Sequence, residues 1–204
     1  MASTATFVGA KKLIKSKDVK PTDLEIKVAN EIFALENASS KDSNNSFKTD
    51  LKGLSFTKAV EVELEGGKKS ACVIFVPPPM LTEFRKTQKA LLEELEKKLG
   101  SSTTQCLLVA NRTMVPPGLW QRSKLLSGVR PRSRTLRSVQ DSLLDDLLFP
   151  VEIVGKRTKI KVDGSRLLKV LLSKKDADAV EGKTDGYRQV FKKFTNRDIT
   201  FEFV

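Results

Sequence analysis

Histidine is absent from the 204 residues. That removes the side chain whose ordinary pKa lies closest to neutrality, and with it Ser–His and Cys–His nucleophile pairs and His-ligated metals. Cysteine is limited to Cys72 and Cys106, too few for a disulfide framework or a four-cysteine zinc site. Each stands in an apolar run, residues 71–76 and 105–109, where a thiol packs as a small apolar group and a reducing compartment fits. No apolar stretch approaches the roughly 18 residues that span a bilayer. The N-terminus, Met1-Ala2-Ser3-Thr4, lacks a hydrophobic signal core and has alanine where myristoylation needs glycine. Residues before Asp18 are acid-free, as in a transit peptide, but they also lack arginine, so cytosol or nucleus is the default. P-loop, GxGxxG and GxSxG patterns are missing, and the acids do not cluster with metal-ligand spacing. The expectation is no catalytic residue, no metal, no cofactor and no small-molecule substrate.

What is present is charge, and its location says more than its size. The chain carries 37 Lys and Arg against 25 Asp and Glu, a net of +12. Residues 1–96 are nearly balanced at +1, and residues 141–204 at +2. Between them, Lys97 to Gln140 holds nine basic residues and no acid. A solvated face normally mixes signs, whereas an unscreened positive segment suits a polyphosphate partner. Arginine usage agrees. None precedes Arg85, while Arg112, Arg122, Arg130, Arg132, Arg134 and Arg137 fall in the acid-free segment, and the guanidinium fork grips phosphate bidentately.

The pattern along the chain predicts one α/β domain over 22–204, a partly antiparallel mixed sheet with packed helices, preceded by a flexible basic arm over 1–21. Hydrophobic residues at 39% are enough for its core. Thr22-Asp23-Leu24-Glu25 is a capping box opening a helix over about 22–37, with Leu24, Val28, Ile32 and Leu35 at helical spacing. Residues 37–52 read as a polar loop. Ala59–Glu65 and Ala71–Val76 form a hairpin across Gly66-Gly67, and three prolines lead into a helix whose face is Leu81, Phe84, Leu91, Leu95 and Leu99. Glu93 and Glu94, four residues before Lys97 and Lys98, support its last turns. A buried strand at 105–110 completes a ββαβ unit.

Residues 111–134 show neither period and form a long basic loop. Thr135 opens a helix that Pro150 stops, with Asp145-Asp146 expected at its polar edge. Val151–Val162 and Arg166–Leu172 read as strands joined by Asp163-Gly164-Ser165, with a bulge at Gly155. A helix near 187–194 and a strand over 199–203 follow, and no internal repeat is visible.

Three features carry candidate chemistry. In Arg130-Pro131-Arg132-Ser133-Arg134-Thr135, proline favours an extended chain, which would align three arginines roughly 6–7 Å apart as a comb for phosphates. A localisation patch or a merely soluble loop is the alternative. Lys156, Arg157, Lys159, Lys161 and Arg166 gather on the second hairpin; Arg157, Lys159 and Lys161 alternate with Thr158, Ile160 and Val162, which puts these three on one face, a nucleic-acid face or a solvated one. With Arg112, Arg122, Lys124 and Arg137 these complete the candidate RNA-binding set. Trp120 could stack on an unpaired base, or anchor the loop to protein.

The segments FVPPPML (75–81), RPRSRTL (130–136), LLFPVEIVGKRTKIKVDGSRLLKV (147–170) and FKKFTNRDITFEFV (191–204) closely resemble the eukaryote-specific ribosomal protein seven family of the small subunit. The resemblance runs from about Ala59 to Phe203 and is weaker at the first helix. It implies a structural constituent of the cytosolic small subunit, bound to small-subunit (18S) rRNA and neighbouring ribosomal proteins, with nucleolar passage and a part in rRNA maturation. It also implies RNA-facing roles for Arg130, Arg132, Arg134, Lys156, Arg157 and Lys161. Residues 113–129 are less basic than the family's loop. A non-ribosomal RNA-binding or assembly factor is the alternative reading.

Overall fold

The computed structural model describes residues 8–15, 19–37, 50–64, 70–100, 104–122 and 129–204. They divide into two compact units, one ending at Asn111 and one beginning at Arg112.

In the first unit the capping box forms as the sequence predicts. The Thr22 N–H donates to Glu25 Oε2 at 2.8 Å, and the Glu25 N–H to Thr22 Oγ1 at 3.4 Å. Helix α1 (Asp23–Asn37) then buries Val28, Ala29, Ile32 and Leu35. Strands β1 (Lys58–Glu63) and β2 (Ser70–Val76) pair antiparallel; the Gly66-Gly67 turn between them lies outside the described residues. A 3-10 turn over Pro78–Met80 feeds α2 (Leu81–Gly100). Its end is set by Gly100 at φ 130°, a conformation that strains any residue with a Cβ. Strand β3 (Thr104–Ala110) runs parallel to β2, in the order β1-β2-β3. Phe56, Ile32, Ile74, Phe84, Leu91 and Leu108 are among the core residues, together with both cysteines. Lys97 pairs with Glu94 at 2.8 Å, but Lys98 reaches across to Glu31 of α1 at 2.9 Å.

Part of the segment expected as an arm is docked on this unit. The Gly9 N–H donates to Asn30 Oδ1, and Ile14 and Phe56 exchange backbone bonds with residues 56 and 12 at 2.8 Å. Lys12 is only 3% exposed; its ammonium donates to the Leu51 carbonyl and pairs with Glu36, both at 2.7 Å. A Cβ on Gly9 would lie 2.5 Å from the Ala29 carbonyl, so this approach requires glycine. Residues 1–7, 16–18 and 38–49 lie outside the described residues.

The second unit carries α3 (Pro117–Arg122), a 3-10 turn (Arg132–Arg134), α4 (Leu136–Leu148), β4 (Ile153–Ile160), β5 (Arg166–Leu172), α5 (Ala177–Glu181), α6 (Thr184–Thr195) and β6 (Asp198–Phe203). The stretch expected to show neither period therefore contains a short helix and a turn. The hairpin turn forms as expected: Gly164 sits at φ 77°, and the Lys161 N–H donates to the Ser165 carbonyl at 2.9 Å. The pairing register shifts between Ile153 and Gly155, the anticipated bulge. Strand β6 lies parallel to β5, in the order β4-β5-β6. Leu144, Leu147, Leu148, Val170, Leu172, Val190, Phe191 and Ile199 are buried, and Tyr187 meets Phe201 edge-to-face at 6.3 Å.

The fold is α/β, with two mixed three-stranded sheets where the sequence suggested one. Both units repeat one connectivity: helix, antiparallel hairpin, helix, parallel strand. No helix among the described residues is long and apolar enough to cross a membrane.

Candidate nucleic-acid interface

The arginine cluster does not form an extended comb. Pro131 is extended (φ −61°, ψ 133°), but Arg132–Arg134 close a 3-10 turn. The Arg134 N–H donates to the Pro131 carbonyl, and the Thr135 N–H to that of Arg132, both at 3.1 Å. The Thr135 hydroxyl also donates to the Arg132 carbonyl at 2.6 Å. With three residues per turn, side chains two apart diverge by about 120° rather than aligning. Proline's fixed φ suits the entry to such a turn as well as it suits a strand, and the local hydrogen bonds decide between them.

The turn sorts its arginines. Arg130 is half-buried and folds back, Nη2 donating to the Arg134 carbonyl at 3.4 Å while its Nε is enclosed without a partner. Arg132 and Arg134 are exposed. One helical turn on, Arg137 projects into solvent and lies only 4.0 Å from Asp141, a weak surface pair. An open groove of about 520 Å³ runs past Arg132, Ser133, Arg137, Ser138, Asp141 and Asp145. The exposed set is thus Arg132, Arg134 and Arg137.

Arg112 holds the fold instead of projecting. Its guanidinium binds both carboxylate oxygens of Asp146, which is 2% exposed. Asp145 and Asp146 were expected together at the polar edge of α4. Asp145 is exposed there, but Asp146 lies among Leu144, Leu147 and Leu148 on the buried side. An acid one position from an apolar stripe needs a cation, and this was the available sequence signal. The Arg122 side chain and Lys124 lie outside the described residues.

The hairpin splits its cations by register. On β5 and β6, Leu168, Val170, Leu172, Ile199 and Phe201 share the inner face, through the pairs Leu168↔Ile199 and Val170↔Phe201. Cross-strand partners point the same way. Arg157 therefore stands opposite Lys169, and Lys159 opposite Leu167, on the outer face. Alternation adds Lys161 to them. Lys156 and Arg166, paired with Val170 and Ile160, belong to the inner side. Lys156 is tied to Asp145 of α4 at 2.7 Å. Arg157, Lys159, Lys161 and Arg166 are exposed and carry no ion pair among the described residues. On the outer face Lys169 already pairs with Glu202. The five-residue basic group is thus two groups back to back.

The chemistry available to the exposed guanidinium and ammonium groups of this unit is phosphate binding. Trp120 is half-buried in α3 beside an exposed Leu119, a helix the sequence did not predict. No group of three or more Cys, Asp or Glu among the described residues is placed to hold a metal ion.

Comparison with known proteins extends the resemblance toward the N-terminus. The sequence model of a family described as ribosomal protein S7e matches residues 12–203. Small ribosomal subunit protein eS7 of Drosophila melanogaster is 42% identical over 192 residues, covering 94% of each chain. Its Schizosaccharomyces pombe counterpart is 41% identical over 193 residues, covering 94% of this chain and 93% of that one. The Candida albicans protein is 41% identical over 182 residues, 89% and 92% of the two chains. The docked residues from Lys12, the first helix, the buried Arg112–Asp146 pair and the cationic hairpin all lie within the matched span, and the chain belongs to the ribosomal protein S7e family.

Proposed function

We propose that this chain is a structural, non-catalytic constituent of the small ribosomal subunit that holds small-subunit (18S) rRNA and supports its maturation. The observation that carries the reading is the exposed, largely unpaired cation set of the second unit: Arg132, Arg134 and Arg137 around the turn, and Arg157, Lys159 and Lys161 on the hairpin's outer face. Each phosphate they neutralise releases a counterion, so binding is driven electrostatically and positions the backbone without reading sequence. The Lys156–Asp145 pair fixes the hairpin base to α4, which holds the two cation groups on one scaffold. Arg130 and Arg112 act one step back, the first bracing the turn and the second anchoring α4. Family membership supports placement in the cytoplasmic ribosome beside other ribosomal proteins, with passage through the nucleolus during assembly.

The test is sedimentation of the tagged protein from its own cell lysate through a gradient, with and without RNase. Comigration with small subunits, monosomes and polysomes that survives moderate salt is the expected result. Confinement to large nuclear precursors would replace this reading with that of an assembly factor.

A further inference from the structure

The turn before α4 sets a hydroxyl inside a pattern of arginines. Thr135 follows Arg130 by five residues and Arg132 by three, with Arg134 just before it and Leu136 just after. A broad class of protein kinases selects its target hydroxyl by arginines at those two distances, read by carboxylates in the kinase's own substrate groove. Ser133 and Ser138 line the same open groove as Thr135, but neither has arginines at both distances. Ser142, which also lines it, directly follows Asp141. Residues 131–134 are all exposed. Their turn is closed by two backbone bonds of 3.1 Å and by the 2.6 Å bond from the Thr135 hydroxyl to the Arg132 carbonyl. So short an exposed turn opens at little cost, and Pro131 then favours the extended chain at Arg130. Extended, Arg130 and Arg132 lie about 6–7 Å apart on one side, available to the kinase.

We propose that Thr135 is a phosphoacceptor for an arginine-directed protein kinase, and that its phosphate withdraws the neighbouring arginines from RNA. The inference rests on the RNA reading above and adds its regulation. Thr135 Oγ1 attacks the γ-phosphorus of ATP: the Oγ1–P bond forms, the bond from phosphorus to the β,γ-bridging oxygen breaks, ADP leaves, and the hydroxyl proton passes to the kinase's catalytic carboxylate. The product carries about −1.5 to −2 charge at pH 7 and three acceptor oxygens. It no longer has a hydroxyl to give the Arg132 carbonyl. Arg132 and Arg137 line the groove with it, and Arg134 is its neighbour in sequence. Guanidinium groups that hold RNA phosphates therefore turn to one on their own chain. At the residue before α4, the dianion also meets the positive end of the helix. RNA lying on the arginines shields the hydroxyl in return, so each form opposes the other.

The test incubates the full chain with magnesium ATP and a purified kinase that requires arginines five and three residues before its target, and locates the phosphate by mass spectrometry. A single phosphate at Thr135 is expected. Thr135→Ser should keep it, Thr135→Ala should lose it, and Arg132→Lys should slow it at least tenfold, with circular dichroism confirming that each variant is folded. Titration of small-subunit rRNA over a salt series should then show the slope of log affinity against log salt reduced by roughly 1–2 on phosphorylation, at about 0.7–0.9 per lost contact. Absence of phosphate, its appearance at Ser133 or Ser138 instead, or indifference to Arg132→Lys overturns the site. An unchanged slope in the phosphorylated chain overturns the switch. If the unmodified chain already binds rRNA without salt dependence, the RNA reading falls, while the site at Thr135 stands on the kinase result alone.

Discussion

The two units have the same connectivity and use it in opposite ways. In the first, β1 buries Ala59 and Val62, and its neighbour β2 is buried on both faces from Ala71 to Val76. In the second, the equivalent edge strand β4 is exposed at every position from Lys156 to Ile160. The first hairpin is a wall of a core. The second is a finger with a cationic outer face. Topology fixes which strands are neighbours, while the side chains at each register position determine whether the hairpin is enclosed or presented.

The comparison is broken most severely by one substitution made in each hairpin. Ile74, 1% exposed, and Ile160, 64% exposed, are the same residue type in strands of corresponding hairpins. Ile74→Ala should cost about 2–5 kcal/mol through transfer and cavity terms, and Ile160→Ala no more than about 0.5 kcal/mol. Urea denaturation of the two variants decides it, and equal losses would refute the contrast.

Next in size is Arg112. As an anchor for Asp146 it is worth about 3 kcal/mol when removed, the low end for a buried pair because the arginine is partly solvated. Arg112→Ala should lower the denaturation midpoint and leave the salt dependence of RNA binding unchanged. A flattened salt slope with unaltered stability would return Arg112 to the RNA surface.

The cation sets come third. Replacing Arg132, Arg134 and Arg137 with Ala should reduce the slope of log affinity against log salt by roughly 2–3, and Arg157, Lys159 and Lys161 by a similar amount, at about 0.7–0.9 per phosphate. Glu61→Gln with Glu63→Gln on the first hairpin should not move it. Filter binding or fluorescence titration over a salt series reads all three variants.

The smallest effect is a pH dependence confined to the first unit. Burial raises the Glu25 carboxyl, but the Lys15 ammonium at 2.5 Å and the Thr22 N–H outweigh it, so its pKa falls below the ordinary 4.5. The folded state then holds this proton less tightly than the unfolded chain. Its contribution is present above about pH 4.5 and is lost as pH falls through the depressed value. The stability gap between the native protein and Glu25→Gln should therefore shrink on acidification from pH 6 to pH 3.5. A constant gap would mean that the capping box acts without the charge.

What the sequence determined by itself was local or additive. Thr22 and Glu25 satisfy each other within one helical turn, Gly164 supplies the turn's positive φ, and Gly155 sits at the bulge because the reach of each interaction is a few residues. The acid-free segment was legible because charge sums without regard to fold, and the family because long segments match. Tertiary structure decided what depends on partners distant in sequence. Lys12 is buried by Leu51 and Glu36, and Arg112 is claimed by Asp146 from 34 positions away. The arginine comb gave way to a turn whose hydrogen bonds composition does not reveal. Alternation already put Arg157, Lys159 and Lys161 on one face of the hairpin, but only pairing with β5 and β6 showed which face was inward. A periodicity of two says that neighbours point apart; only the strand alongside says which direction is the core.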